Sequence, residues 1–268
     1  MCVGVASYPP RIGAVVNDFF PADPNTVRPF VYEDERTASL YFDMASVQSR
    51  MRRGDPVVLA LDYTRTMMGF ALIEPEPASI LMIGLGGGSL AKYCHKHLPR
   101  ADITAVEINP HVIALRDGFF VPPDDARFRV VRDDGAAFVE RSPQRYDVVL
   151  VDGFDYEGQP ERLATPRFYA ACRAVLAPRG VLVVNLHAEE PACSALIDRI
   201  AAAFDGDVQV LAAEAGGNRV VFAGRCAEFR DCNANFKARW TALPIAHRQT
   251  LRISASRFVR SRQWHALA

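Results

Sequence analysis

Two carboxylates three residues apart stand in the segment VDGFDYEGQPERL, where Asp152 ends the apolar run YDVVLV and Asp155 follows in the loop. An amine that is to act as a nucleophile arrives as an ammonium ion with a pKa of about 10. It must lose a proton before it attacks carbon. Paired carboxylates can bind the cation, orient it and accept that proton. The plainer reading of the same residues is a polar loop with an Asp turn.

A second group of residues points to a nucleoside. ILMIGLGGGSL puts Gly84, Gly86 and Gly88 directly after an apolar run. Glycine suits a chain that turns sharply and lets a ligand touch its backbone, and the free N–H groups of the following helix then face that ligand. A tight strand–helix turn alone would also explain the cluster. Glu107, in VEIN, lies 19 residues after Gly88. A carboxylate at that strand end can accept hydrogen bonds from both ribose hydroxyls. Asp134, in RDDGAAF, is placed to read an adenine amino edge and equally to cap the helix AAFVER, and both roles can coexist. NAD is the competing ligand. The turn lacks the further glycine of the dinucleotide pattern, and the third-strand Asp favours a sulfonium nucleoside.

These groups need elements to carry them. Residues 1–26, with Pro9, Pro10, Pro21 and Pro24, read as an irregular lead-in. Val27–Phe42 reads as two short strands around the polar turn EDER. A helix is predicted over Pro56–Ile73, burying Val57, Leu61, Met68 and Leu72. Five apolar runs follow: ILMIG (80–84), DITAVEI (102–108), RFRVV (127–131), YDVVLVD (146–152) and VLVVNL (181–186). Asn109-Pro110 and Thr165-Pro166 are cap-plus-proline helix starts between them. Leu196, Ile197, Ile200 and Phe204 form another helical stripe. Such alternation predicts parallel strands with crossover helices on both faces. Gly216-Gly217-Asn218 predicts a closing hairpin. The fold class is therefore α/β, a doubly wound Rossmann-like sheet of the class I S-adenosylmethionine-dependent transferase type. It divides into a small N-terminal β extension (1–55), a catalytic domain (56–224) and a C-terminal helical tail (225–268). The tail's nine basic residues read as solvated faces of one or two amphipathic helices.

Composition narrows the function classes. Thirty-one basic and 31 acidic residues leave no net charge, so neither nucleic acid nor an anionic membrane is an expected partner. Half of the chain is apolar or aromatic, as in an ordinary globular protein. No apolar run approaches the roughly 18 residues of a membrane span. The start MCVGVASYPPRIG lacks a signal-peptide pattern, and six scattered cysteines without C-x-x-C fit a reducing cytoplasm, the expected compartment. Cys94, His95 and His97 lack metal-ligand spacing, and no metal is expected. Ser194 and His187 have no nucleophile-elbow context. Tyr41, Phe42 and Phe119-Phe120 read as packing groups, with Phe119 a candidate wall of the ligand pocket.

VDGFDYEGQPERLATPRFY resembles the polyamine aminopropyltransferases, the spermidine synthases, whose motif reads D-x-x-D-P-x-G-P-A followed by L-x-x-x-x-F/Y-Y. VEIN resembles their E-I-D segment, DDGAAF their G-D-G-x-x-F, LYFDMASVQS their L-x-x-D-G-x-x-Q strand and LDYTRTMM their Y-Q-E-M-I helix. The resemblance covers about Tyr32 to Gly224. It implies Asp152 as proton-accepting carboxylate, Asp155 as holder of the amine, Tyr63 near the acceptor and Gln48 near the cofactor. It also implies aminopropyl transfer from decarboxylated S-adenosylmethionine to a small amine, no metal, and a homodimer. The chain departs from the pattern in places. Gly87 replaces the family Asp that holds the cofactor's amine and repels the carboxylate of ordinary S-adenosylmethionine. Tyr156 replaces the Pro after the second Asp, and AAEAGGNRV replaces the T-Y-P-S-G segment. Two alternatives stay open: a methyltransferase using intact S-adenosylmethionine, which Gly87 permits, and a non-catalytic nucleoside-binding homologue.

Overall fold

Short, β-branched runs bounded by glycine and polar caps are what a parallel sheet buried on both faces requires, and they become its strands. The computed structural model describes residues 27–44, 46–155, 158–231 and 234–265. The irregular lead-in over 1–26 and Tyr156 lie outside the described residues.

The chain opens with an antiparallel three-stranded sheet, β1 (Phe30–Glu33), β2 (Thr37–Tyr41) and β3 (Val47–Arg52), in that order. The EDER turn forms as expected, because Asp34 Oδ1 accepts from the backbone N–H groups of Arg36 and Thr37 at 2.7 and 2.6 Å. The helix expected over 56–73 is shorter. It is α-helical only over α1 (Asp62–Met67) and tightens into a 3-10 helix over Met68–Leu72. Gly69 lies in that tightened stretch, where a side chain would run into the Phe222 and Phe258 rings at 2.9 and 3.0 Å.

The central sheet then alternates with helices: β4 (Ser79–Ile83), α2 (Ser89–His97), β5 (Asp102–Glu107), α3 (Pro110–Ala114), β6 (Phe128–Arg132), α4 (Gly135–Arg141), β7 (Tyr146–Val151), α5 (Pro166–Val175), β8 (Leu176–His187), α6 (Cys193–Ala203), β9 (Val208–Ala212) and β10 (Asn218–Gly224). The order is β6-β5-β4-β7-β8-β10-β9, with β6 to β8 parallel and β10 antiparallel to both neighbours. The five apolar runs and the hairpin thus lie where their sequences put them. Both cap-plus-proline signals also hold. Asn109 accepts from His111 N at 2.9 Å, and Thr165 accepts from Phe168 N at 3.0 Å. The chain leaves β4 toward β5 and β6, then returns to β7 on the other side of β4. That reversal opens a crevice at the strands' carboxyl ends.

The tail differs from expectation. It forms four helical segments, α7 (Ala227–Arg230), α8 (Phe236–Ala242), α9 (Ile245–Leu251) and α10 (Ser254–His265). Pro244 separates α8 from α9. Arg225, Arg230 and Arg252 are solvated as expected, whereas two other arginines are staples. Arg239 donates to Leu72 O and Ile73 O at 2.9 and 3.1 Å, and Arg257 donates to the carbonyls of Ala212, Ala213 and Glu214. Leu251 and Phe258 are buried in the main core beside Phe222. No helix of the described residues is long and apolar enough to cross a membrane.

Candidate active site

The crevice between β4 and β7 deepens into a cavity of about 460 Å³. Its floor is the glycine turn. Gly84 has φ +95°, and a side chain there would collide with the carbonyl oxygen of Asp152, so the turn and the acidic loop touch through backbone alone. Gly86 and Gly88 are also left-handed, at φ +51° and +64°, and Gly88 begins α2. Gly84 and Gly86 line the cavity; Gly88 lies behind it, against Val121.

Glu107 lies at the end of β5 with little exposure, 9%. One carboxylate oxygen accepts from Leu85 N and the other from Asn109 N, both at 2.9 Å. Burial pushes its pKa up, and the surrounding backbone N–H groups pull against that shift. The carboxylate therefore fixes the glycine turn and lines the cavity at once. Asp134 caps α4 as expected, through Ala137 N at 2.8 Å, and it lines the cavity. Its second oxygen pairs with Arg162 Nη1 at 2.9 Å.

Asp152 leaves β7 into the cavity. Asn185 Nδ2, from β8, donates to Asp152 Oδ1 at 2.9 Å, and the Tyr63 hydroxyl donates to the same carboxylate. Burial pushes Asp152 up to about 6, against the pull of those two donors. The Tyr63 phenol is pushed well above its ordinary value, first by burial and then by the Asp152 charge. Its hydroxyl also lies 3.5 Å from Gln48 O on β3. Asp155 lines the same cavity, and its backbone accepts from and donates to the Gly158 backbone. Gln48, Tyr63, Asp152 and Asp155 thus converge, with Glu107 and Asp134, on one cavity.

Three residues complete the site without having been singled out for it. Asn185 reads as one more residue of the apolar run VLVVNL, and only its pairing with Asp152 gives it a role. Arg162 lies in a loop and reaches the rim. His187, at the end of β8, stacks on Phe154 with ring centroids 4.2 Å apart and planes 7° apart, and both rings line the cavity. Burial lowers the His187 pKa, against the opposing charge of Glu190. Phe119 does not line the cavity. It is 2% exposed and packs behind the glycine turn, where a Gly87 side chain would meet its ring at 2.8 Å and Ser49 Oγ at 2.7 Å. Phe42 forms part of the wall instead.

A family model described as the spermine/spermidine synthase domain matches residues 60–199, more than half of the 268 residues. The chain belongs to the spermine/spermidine synthase family. A polyamine aminopropyltransferase of Chromobacterium violaceum is 39% identical over 196 residues, 73% of this chain and 75% of the relative. A polyamine aminopropyltransferase of Neisseria meningitidis serogroup A is 37% identical over 195 residues, 72% of this chain and 74% of the relative. A crystal structure of a probable spermidine synthase from Corynebacterium glutamicum superposes with a TM-score of 0.64 at 19% identity, over 85% of this chain and 91% of that one, a likeness of fold. At Gly87 the backbone has no room for an acid unless Ser49 and Phe119 move.

Proposed function

We propose that this protein is an aminopropyltransferase that takes the aminopropyl group of decarboxylated S-adenosylmethionine to a small cationic amine. The observation that carries this reading is the charge of the cavity. Among the described residues, Glu107, Asp134, Asp152, Asp155 and Glu161 line it, against Arg162 and His187 alone. Arg162 is already spent on Asp134. A carboxylate on the ligand's tail would meet acids with no cation to hold it, whereas an ammonium tail and an amine acceptor are both drawn in. That favours the decarboxylated form over intact S-adenosylmethionine, even without an acid at position 87.

The residues present suit such a nucleoside. Glu107 offers a buried carboxylate to the ribose hydroxyls, Asp134 stands one strand further out toward the base, and the bare backbone at Gly84 and Gly86 permits close approach. The sulfonium makes the adjoining methylene electrophilic. Asp155 holds the incoming ammonium, and Asp152, oriented by Asn185 and Tyr63, accepts its proton. The freed lone pair forms the new C–N bond as the C–S bond breaks, and its electrons return to sulfur in 5′-methylthioadenosine. Gln48, whose carbonyl oxygen lies 3.5 Å from the Tyr63 hydroxyl, contributes to the cofactor's pocket in this reading. No step in this scheme calls for a metal. A homodimer is part of the proposal, and sedimentation velocity tests it.

Mass spectrometry of products from a mixed pool of di- and polyamines, run with each cofactor form, tests the reading. Aminopropylated amine and 5′-methylthioadenosine are expected from the decarboxylated form. Methylated product from the intact form would replace the proposal with methyl transfer. Tight nucleoside binding without any product would make the chain a non-catalytic homologue.

A further inference from the structure

A second cavity, of about 490 Å³, lies where β3, α2 and α9 meet. The helix α1 contributes Tyr63 to the first cavity and Arg65 to this one. The two differ in sign. Arg52 from β3, Lys96 from α2 and Arg252 following α9 all line the second, and none of the three makes an ion pair among the described residues. Its other cation, Arg65, is neutralised by Glu214 through Nη2–Oε2 at 2.7 Å and Nε–Oε1 at 3.2 Å. Among the described residues Asp55 is then the one acid left to face three cations.

This concentration of positive charge is local, because the whole chain carries 31 basic and 31 acidic residues. It is also built from three separate elements. All three residues are exposed, and the fold brings them from three elements to one concavity, where a polyanion meets positive charge from each. Neutral donors complete the wall, with His97, Gln249 and Thr250 on it. Val57, Val58 and Ile253 add an apolar side, and the volume is that of a small-molecule site.

We propose that this cavity is a binding site for a small molecule bearing a polyphosphate chain, with Arg52, Lys96 and Arg252 on the phosphates. The site is separate from the acidic cavity and does not depend on the aminopropyltransferase reading. Pyrophosphate is the probe, since it carries the charge and lacks the adenosine that the first cavity would take.

Isothermal titration of pyrophosphate into the full chain, saturated with 5′-methylthioadenosine, tests the assignment. One pyrophosphate is expected to bind per chain, with affinity falling as salt rises. Affinity should fall by at least about tenfold in Arg52→Ala/Lys96→Ala/Arg252→Ala, and be kept in Arg100→Ala, whose side chain lies outside the cavity. The single variants Lys96→Gln and Arg252→Gln give the same readout should the triple variant fold poorly. No binding up to about 5 mM pyrophosphate, unchanged affinity in both the triple and the single variants, or loss of binding when 5′-methylthioadenosine is added would each overturn the proposal.

Discussion

Asn185 donates to Asp152 across the tips of β8 and β7 at 2.9 Å, over a sequence separation of 33 residues. Asn185 is itself held by Asn218 Nδ2 at 3.0 Å, so the terminal hairpin reaches the acidic loop through two amides. Replacing Asn185 with Leu removes a donor that favours the ionised carboxylate. Turnover should fall by about ten- to a hundredfold, and the acid limb of the pH profile of kcat/KM should move to higher pH. A limb that stays in place would show that Asn185 serves packing alone.

The raised pKa of Asp152, about 6 against an ordinary 3.8, has a sign that separates activity from stability. In the proposed reaction activity needs the carboxylate and should fall as pH drops through about 6. Folding prefers the protonated acid, so the stability Asp152 lends is complete below about 3.8 and lost as pH rises through about 6. Asp152→Asn should therefore cut turnover by about 10² to 10⁴ while raising stability near pH 7.5 by up to about 3 kcal/mol. The gain should shrink to nothing near pH 4. Thermal melts across pH, beside titration with 5′-methylthioadenosine, check both halves; a variant that melts lower at pH 7.5 contradicts the assignment.

Gly87→Asp restores the residue type of the family pattern and should still harm the protein. The new side chain starts 2.7 Å from Ser49 Oγ and 2.8 Å from the Phe119 ring. Overpacking of this kind destabilises by about 1–3 kcal/mol. Denaturant midpoints should fall, and adding Phe119→Leu should recover part of the loss. An unchanged midpoint would mean the turn yields freely.

Glu214 and Arg65 form a two-pronged pair with side-chain exposures of 14% and 25%. Arg65 also holds the carbonyls of Leu59 and Ala60, and Asp62 of the same helix accepts from Ala215 N. The hairpin turn is thereby tied to α1, which carries Tyr63. Glu214→Ala leaves a partly buried guanidinium unmatched and should lower stability by about 1–3 kcal/mol. Arg65→Met/Glu214→Leu, which removes both charges, should lose less. Equal losses in the two variants would assign the effect to packing.

Much of this was legible in the sequence because the rules that set it act over a few residues. Val- and Ile-rich runs between glycines gave the five parallel strands; Asn109-Pro110 and Thr165-Pro166 gave two helix starts. The glycine turn, Glu107, Asp134 and the Asp152–Asp155 pair could be placed together because each ends a strand of one sheet. Where the reading ran long, packing intervened. The 56–73 helix begins only at Asp62 and tightens from Met68, where Gly69 packs under Phe222 and Phe258, and Phe119 was drawn behind the turn rather than into the cavity.

The order of elements, the chain's overall neutrality and the acids at the strand tips belong to the sequence alone. Tertiary structure decided which side chains meet: Tyr63 and Asn185 on Asp152, Arg65 on Glu214 149 residues away, and the tail arginines on carbonyls of the hairpin and of the 3-10 helix. It also sorted a chain of zero net charge into one acidic and one basic cavity. Propensity, capping and turn preference act between near neighbours along the chain, whereas charge and hydrogen bonding act between whatever neighbours the sheet order and the packed core bring within a few ångströms.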